Sequence, residues 1–293
     1  MKFFALLVVL LLQKLPNQGV HHGLDRAYRA FHRWSAQIWK SHLGATAPFL
    51  TAVIFWLLTI WLVLWWLDGW LAGVPALLVN LAVLYYALGR RNEQKWIQRY
   101  MIAWRQGDHQ AAYYYAEELL ERPCNEESAT QVHAQVLAKL TYLAFDRLFM
   151  VIFWFLLLGP LGALLVRLSE RALYHARQAY QDVDPAIEHF HFLLEWPASR
   201  LLGLTFALAG RPLLGLRQWS RDLFKVQLES ETFLNRQLIT ACGHLSEAAA
   251  CYQQRPEMMT PEADQELALL KEQLWRALII WVAVFALSVI LWS

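Results

Sequence analysis

The stretch Met150–Glu170, MVIFWFLLLGPLGALLVRLSE, decides how the rest of the sequence is interpreted. It begins with the apolar and aromatic run that is typical of a membrane helix. Gly159, Pro160 and Gly162 then fall in its middle, and Arg167 lies near its end. Proline removes a backbone N–H donor and glycine adds chain entropy, so both weaken a helix. The stretch therefore predicts a break within a membrane segment.

The composition predicts an all-α integral membrane protein. Of the 293 residues, 57% are hydrophobic and only 17% are charged, whereas soluble proteins have about 25% charged residues. The apolar residues also occur in blocks rather than at the period of an amphipathic helix. The net charge of +2 and the lack of a dense basic run argue against nucleic acid as a partner.

The N-terminal region contains two short candidate elements. Residues 3–12 are apolar but lack a signal-peptide cleavage site, and they cover about half of a bilayer core. We expect a short membrane-inserted helix there and leave open whether it crosses. Residues 24–40 form a basic amphipathic pattern, which fits either the cytoplasmic membrane surface or a helix packed on the protein.

Hydropathy predicts four membrane spans and two partial ones. The spans are 48–67, 73–88, 148–166 and 276–292, and the partial segments are 3–12 and 190–209. The turn between the first two spans carries tryptophans but no Lys or Arg, while both outer flanks are basic. By the positive-inside rule this turn is external.

The chain is accordingly divided into three parts: an N-terminal membrane part (1–91), a cytoplasmic helical insert (92–147) and a C-terminal membrane part (148–293). The insert contains two helices separated by a stop-and-cap signal at Gly107-Asp108, and a third helix that leads into the next span. The C-terminal part also includes a helical region, 211–275, whose side of the membrane the charge pattern leaves open.

The sequence has no common catalytic signature: no Walker phosphate loop, zinc-protease His pair, paired-cysteine site or nucleophile elbow. The pairs His21-His22 and His189/His191 lack partners at ligand spacing, which favours surface or interfacial histidines. The three cysteines are interpreted as free structural thiols. We predict no metal and no cofactor.

Ionisable residues at membrane depth form the candidate polar site, because charge inside a membrane protein is costly and faces a bundle interior or a cavity. They are Glu195, Arg200, Arg167 and Arg211. In a structural interpretation, Glu195 pairs with Arg167 or Arg200 beside the Gly159-Pro160 break. In a functional one, the arginines and a helix broken at Pro197 bind an anionic small molecule.

Two motifs resemble a known family. Residues 153–168, FWFLLLGPLGALLVRL, and 192–210, FLLEWPASRLLGLTFALAG, look like those of the AmpE membrane proteins of Gram-negative bacteria. That family shares a superfamily with the adenosylcobinamide-phosphate synthases of cobalamin assembly. The order of elements is similar over nearly the whole chain. The family pattern is acid-Trp-x-Pro-x-Arg-Leu, whereas proline comes one residue early in Glu195–Leu201.

The resemblance implies a multi-pass inner-membrane regulator linked to β-lactamase induction and cell-wall recycling. The implied partners are the lipid bilayer and a cytoplasmic muropeptide amidase or another recycling protein. The alternative is a membrane amide ligase or transferase that acts on a phosphate-bearing amphiphile. The synthases carry a Ser-Pro-Asn motif after the Glu195 element, and residues 221–233, RDLFKVQLESETF, lack it, which disfavours the ligase.

The insert supplies the surface for a cytoplasmic partner. Its candidate contacts are the aromatic residues Trp104, Tyr113, Tyr114 and Tyr115. The alternative role of these side chains is to pack the helices of the insert against one another.

Overall fold

The computed structural model describes residues 6–9, 30, 34, 46–67, 74–88, 93–124, 129–178, 185–242 and 260–291. Within these ranges the regular structure is entirely helical, which confirms the predicted all-α class. The helices are α1 (Thr46–Leu67), α2 (Val74–Ala87), α3 (Glu93–Arg105), α4 (His109–Leu120), α5 (Ala129–Ala144), α6 (Met150–Leu158), α7 (Pro160–Gln178), α8 (Pro185–Ala209), α9 (Pro212–Asp222), α10 (Ser230–Cys242) and α11 (Thr260–Leu291). A π-helical turn, Phe145–Phe149, joins α5 to α6.

The chain divides into two compact units. Unit 1 comprises residues 1–90, 147–195 and 285–293, and unit 2 comprises 91–146 and 196–284. Unit 2 thus combines nearly all of the predicted insert with residues 196–284. The C-terminal part that the sequence groups together, 148–293, contributes residues to both units.

Two helical stretches are long and apolar enough to cross a membrane, Phe49–Leu67 and Gln131–Leu158, and Val74–Ala87 is a shorter apolar helix. In α1 half of the large apolar side chains are exposed, among them Leu58, Trp61 and Trp65 at 56%, 51% and 68%. Large apolar surfaces of this kind mark contact with lipid or another protein rather than with water. The predicted span 48–67 therefore agrees with α1.

The predicted span 148–166 differs from the structure. The helix ends at Leu158 and a new helix begins at Pro160, so the apolar stretch instead extends back through the π turn to Gln131. The window 276–292 falls within and just beyond α11, which is not one of the two stretches with span-like hydropathy. Residues 10–29 and 35–45, with most of the predicted 24–40 helix, lie outside the described residues.

Helix α7 organises the core of unit 1. Leu164, Leu168 and Ala172 recur at four-residue spacing and are buried against α1 and α2, with which α7 packs. The opposing residues are Phe49, Ala52, Val53, Val83 and Tyr86. One apolar face of α7 is thereby removed from water, and this fixes the position of the polar residues on the same helix.

Unit 2 contains the insert helices and α9–α10. Helix α4 packs on α3 and α5, and α10 packs on α5 and α9. Gly107 has φ +70° where α3 ends, and Asp108 caps α4 by accepting a hydrogen bond from the Ala111 amide at 3.0 Å. The stop-and-cap predicted at Gly107-Asp108 is confirmed.

Candidate functional site

The Gly159-Pro160 pair ends one helix and starts the next. Gly159 has φ +68°, a left-handed conformation that glycine adopts without steric cost. Its amide donates to the Phe155 carbonyl at 2.8 Å and closes α6. Pro160 then occupies the first position of α7, where a missing N–H costs nothing. The sequence therefore produces a turn here rather than a kink in a single helix.

Gly162 allows the two helices to approach closely. A Cβ atom at this position would overlap the Trp154 backbone, so only glycine fits without a shift of main-chain atoms. The indole of Trp154, on α6, also donates to the Leu194 carbonyl of α8 at 3.0 Å. The Gly-Pro-Leu-Gly motif thus places α7 next to α6, and the Trp154 hydrogen bond connects α6 to α8.

A buried hydrogen-bonded chain joins Ser169 on α7 to His191 and Glu195 on α8. The Ser169 hydroxyl lies 3.0 Å from Nδ1 of His191, and Nε2 of His191 lies 3.0 Å from Oε1 of Glu195. The exposed fractions of the three residues are 0%, 6% and 5%. His191 and Glu195 are four residues apart, so they share one face of α8.

The hydrogen-bond geometry places a proton between His191 and Glu195. The Ser169 hydroxyl has a single proton and lies 2.8 Å from the Val166 carbonyl, to which it donates. It then accepts from Nδ1–H of His191. Nε2 and the carboxylate can contact each other favourably only if one of them is protonated. The pair is therefore either an ion pair or a neutral hydrogen bond, and in both cases it satisfies a buried carboxyl group.

Arg167 lies on the same helix as Ser169 and is almost fully buried, at 1% exposure. Its Nη1 contacts Oε2 of Glu170 at 2.5 Å, and its guanidinium carbon lies 5.7 Å from the centre of the Tyr86 ring. Among the described residues of unit 1, Arg167 contacts Glu170 and His191 contacts Glu195. The direct pairing of Glu195 with Arg167 or Arg200 stays a prediction.

In unit 2, Arg200 holds the turn that follows α9. Its guanidinium donates to the carbonyls of Leu223, Lys225 and Leu228 at 3.4, 3.2 and 3.3 Å. It also packs over the Phe233 ring, 3.9 Å from the ring centre. The five N–H groups of arginine suit such a convergent set of acceptors. The geometry indicates a structural role for Arg200 in positioning residues 223–228.

Further contacts secure this arrangement. The Trp219 indole donates to the Arg200 carbonyl at 2.8 Å. Asp222, 1% exposed, accepts from Lys225 at 2.6 Å and Gln218 at 2.7 Å. Burial alone raises the pKa of the Asp222 carboxyl, but these two hydrogen bonds and the charges of Lys225 and Arg236 outweigh it and bring the pKa below its usual 3.8.

Two other predicted site residues have different surroundings. Arg211 is exposed at the N-terminal boundary of α9, and its side chain makes no capping hydrogen bond. Pro197 lies inside α8, which continues from Pro185 to Ala209, so Pro197 does not break the helix as the sequence predicted. Proline in a helix interior removes one intrahelical hydrogen bond, here the one to the Leu193 carbonyl.

The aromatic residues of the insert separate into buried and exposed ones. Trp104 is 2% exposed and stacks on His133, whose Nδ1 is bonded to the Tyr100 hydroxyl at 2.9 Å. Trp104 therefore packs the insert, the alternative that the sequence left open. Tyr113 and Tyr115 are half-buried, whereas Tyr114 is 55% exposed and stays a candidate partner contact.

Sequence reasoning missed two parts of these sites. It interpreted His191 as a surface or interfacial residue, but the side chain is buried between Ser169 and Glu195. The signal that could have identified it is the four-residue spacing to Glu195. The groups that accept hydrogen bonds from Arg200 are backbone carbonyls of a turn more than twenty residues away. No pattern of side chains in the sequence predicts these contacts.

Comparison with known proteins identifies one family. The sequence model described as "Regulatory signalling modulator protein AmpE" matches residues 1–290, which is nearly the whole chain. No solved structure matches the chain significantly.

Individual relatives come from two groups. The Shigella flexneri protein named "Protein AmpE" is 25% identical over 234 residues, which are 76% of this chain and 79% of that protein. The Chromobacterium violaceum "Cobalamin biosynthesis protein CobD" is 27% identical over 227 residues, 73% of this chain and 70% of the relative. A protein of the same name from Stutzerimonas stutzeri is 29% identical over 199 residues, 67% of this chain but only 63% of the relative.

Proposed function

Because this chain belongs to the AmpE family of regulatory signalling modulators, we propose that it is a multi-pass protein of the bacterial inner membrane. In this role it modulates β-lactamase induction through the cell-wall recycling pathway. Two helical stretches with span-like length and hydropathy, and the exposed apolar surface of α1, support the membrane location. The helices of the insert then present a surface to the cytoplasm.

The observation that most favours a regulator over a ligase is that the guanidinium of Arg200 is already bound within the protein. A phosphate-binding arginine presents its N–H groups to the ligand. Here three carbonyls of the 223–228 turn and the Phe233 ring occupy the guanidinium. The same region, residues 221–233, lacks the Ser-Pro-Asn motif of the synthases. Both features favour a structural element where the ligase branch has a phosphate-handling one.

The proposed partner is a cytoplasmic protein of cell-wall recycling, with a muropeptide amidase as the first candidate. Tyr114 provides an aromatic contact, since it is 55% exposed and tyrosine is enriched in protein interfaces and among the residues that carry most of their binding energy. Gln110 and Glu118 lie one turn before and after it on α4 and are also exposed. This face of α4 is therefore the surface on which the partner docks.

Capture of partners from native membranes tests the proposal. The tagged full-length chain is solubilised, and the proteins retained with it are identified by mass spectrometry. Tyr114→Ala should lower the yield of the recycling partner severalfold while the protein accumulates normally. Gln98→Ala, an exposed substitution on α3, is the matched control and should leave the yield unchanged. If Tyr114→Ala captured as much of the partner as the parent chain does, the proposal that this surface binds the partner would be wrong.

The similarity to two cobalamin biosynthesis proteins favours a second candidate, a membrane amide ligase or transferase for a phosphate-bearing amphiphile. Such an activity requires an anion site in addition to the Arg200 turn. ATP binding by the purified protein distinguishes the candidates. Saturable binding that is lost in Arg167→Gln or Arg211→Gln would favour the ligase, and no binding at all would favour the regulator.

A further inference from the structure

Helix α9 and the turn after it form an exposed surface of unusual composition, here called the α9 surface (residues 211–228). Its apolar side chains project far from the unit: Leu213 is 88% exposed, Phe224 80% and Val226 57%. Leu214 and Leu216 on α9 are also exposed. Groups of large apolar side chains that face outward in this way mark a binding surface.

The exposure of Phe224 and Val226 is built into the backbone. The Leu223 and Lys225 carbonyls point inward to Arg200, so the intervening residue and the one after it are turned outward. A hydrogen bond of 2.9 Å from the Val226 amide to the Phe224 carbonyl tightens the turn. The two side chains are thus held in their outward position before any partner binds, which lowers the entropic cost of binding.

The exposed charged side chains within residues 211–228 are all basic, and the first exposed acidic residue after them is Glu229. Arg211, Arg217, Arg221 and Lys225 are all exposed. Within residues 211–228, all of which the structure describes, the only acidic residue is Asp222, which is buried and neutralised by Lys225. The partner of the α9 surface therefore combines an apolar phase with negative charge.

We propose that the α9 surface docks on the headgroup region of an anionic phospholipid bilayer. In this arrangement Leu213, Phe224 and Val226 enter the boundary of the acyl chains, and the side chains of Arg211, Arg217 and Arg221 contact lipid phosphates. Basic residues next to apolar anchors are the pattern by which interfacial helices bind the negatively charged leaflet.

This inference rests on the membrane location in the proposed function, and the two fail in different ways. If the native chain does not sediment with membranes, the proposed function fails. If it sediments with membranes but the α9 surface remains in water, only this inference fails.

Site-specific photo-crosslinking provides the test. The full chain, with a photoreactive benzoylphenylalanine in place of Phe224, is reconstituted in nanodiscs of phosphatidylcholine mixed with phosphatidylglycerol. We expect lipid adducts at position 224, with phosphatidylglycerol enriched over its bulk fraction. The same probe at Leu213 provides a second position should the first variant fail to fold. The probe at Tyr114, an exposed aromatic residue of the same unit on α4, is the control and should give no lipid adduct.

A charge variant completes the test. Arg217→Gln combined with Arg221→Gln should bring the phosphatidylglycerol share of the adducts at position 224 back toward its bulk fraction, since each basic residue near an anionic surface contributes appreciably to binding. Adducts to a second copy of the chain instead of lipid would overturn the proposal. Absence of lipid adducts at both positions 224 and 213 would also overturn it, as would an enrichment that the double variant leaves unchanged.

Discussion

The guanidinium of Arg200 lies 3.9 Å from the centre of the Phe233 ring while its N–H groups reach three carbonyls of the 223–228 turn. One side chain of α8 thereby connects the start of α10 with the turn that precedes it. Arg200 is 3% exposed, so this network is shielded from water. In such surroundings, carbonyls that lose their donor are costly.

Arg200→Ala should lower the free energy of unfolding by about 2–4 kcal/mol, because it leaves several part-buried carbonyls without a donor. Arg200→Lys should recover little, since one ammonium group cannot reach all three acceptors. Hydrogen–deuterium exchange should rise specifically in residues 223–228. The control Arg217→Ala is exposed and should change neither quantity. Unchanged exchange in the turn would contradict the structural role of Arg200.

Glu195→Ala should destabilise the protein by about 3 kcal/mol or more, because it removes one partner of a buried, hydrogen-bonded pair. Glu195→Gln should cost less, since an amide can still hydrogen-bond Nε2 of His191. The 15 tryptophans allow unfolding to be followed by intrinsic fluorescence in detergent. Glu188→Ala, exposed on the same helix, serves as the control. Equal stability of all three variants would disprove the pairing.

Gly162→Ala should destabilise the protein by about 2 kcal/mol, because the added methyl group meets the Trp154 backbone. Gly159→Ala should also be harmful, as its φ of +68° is unfavourable for alanine. Pro160→Ala is the matched control and should be tolerated, since Pro160 occupies the first position of α7. The thermal midpoints of the three variants provide the comparison, and a Pro160→Ala defect as large as that of Gly162→Ala would argue against the turn.

The Cys242 thiol makes the stability of unit 2 depend on alkaline pH. Burial raises its pKa from 9.0 to about 11; the charge of Arg276 opposes this shift and that of Glu272 adds to it. The folded state therefore keeps the proton to higher pH than the unfolded state does. Stability is unaffected below pH 9 and falls as the pH rises toward about 11.

In Cys242→Ala this contribution to the alkaline fall should vanish. The difference in melting temperature between the parent and the variant, measured as a function of pH, isolates it from the titration of other groups. A difference that stays constant from neutral pH to the alkaline limit would show that the thiol does not titrate in this range.

Local signals in the sequence predicted what depends on local physics. Composition indicated the all-α class, and Gly107-Asp108 correctly marked the boundary between α3 and α4 because capping needs only neighbouring residues. Hydropathy could not place the helix end at Leu158, since it counts apolar residues and ignores the positive φ that Gly159 adopts.

The polar contacts were harder to predict because they join distant parts of the chain. Ser169 and His191 are 22 residues apart, and only the packing of α7 beside α8 brings them together. Arg200 was correctly selected as a residue of interest, but its carbonyl partners carry no side-chain signature. A charged residue in an apolar segment predicts that a partner exists but does not identify it.

The central claim, that this AmpE family member is a regulator, is tested most directly by β-lactamase activity in the native host after exposure to an inducing β-lactam. Deletion of the gene should change the induced activity severalfold, the parent gene should restore it, and Tyr114→Ala should restore it only in part although the protein accumulates normally. Unchanged induction in the deletion strain, together with a loss of cobalamin-dependent growth that the parent gene rescues, would contradict the account and favour the ligase.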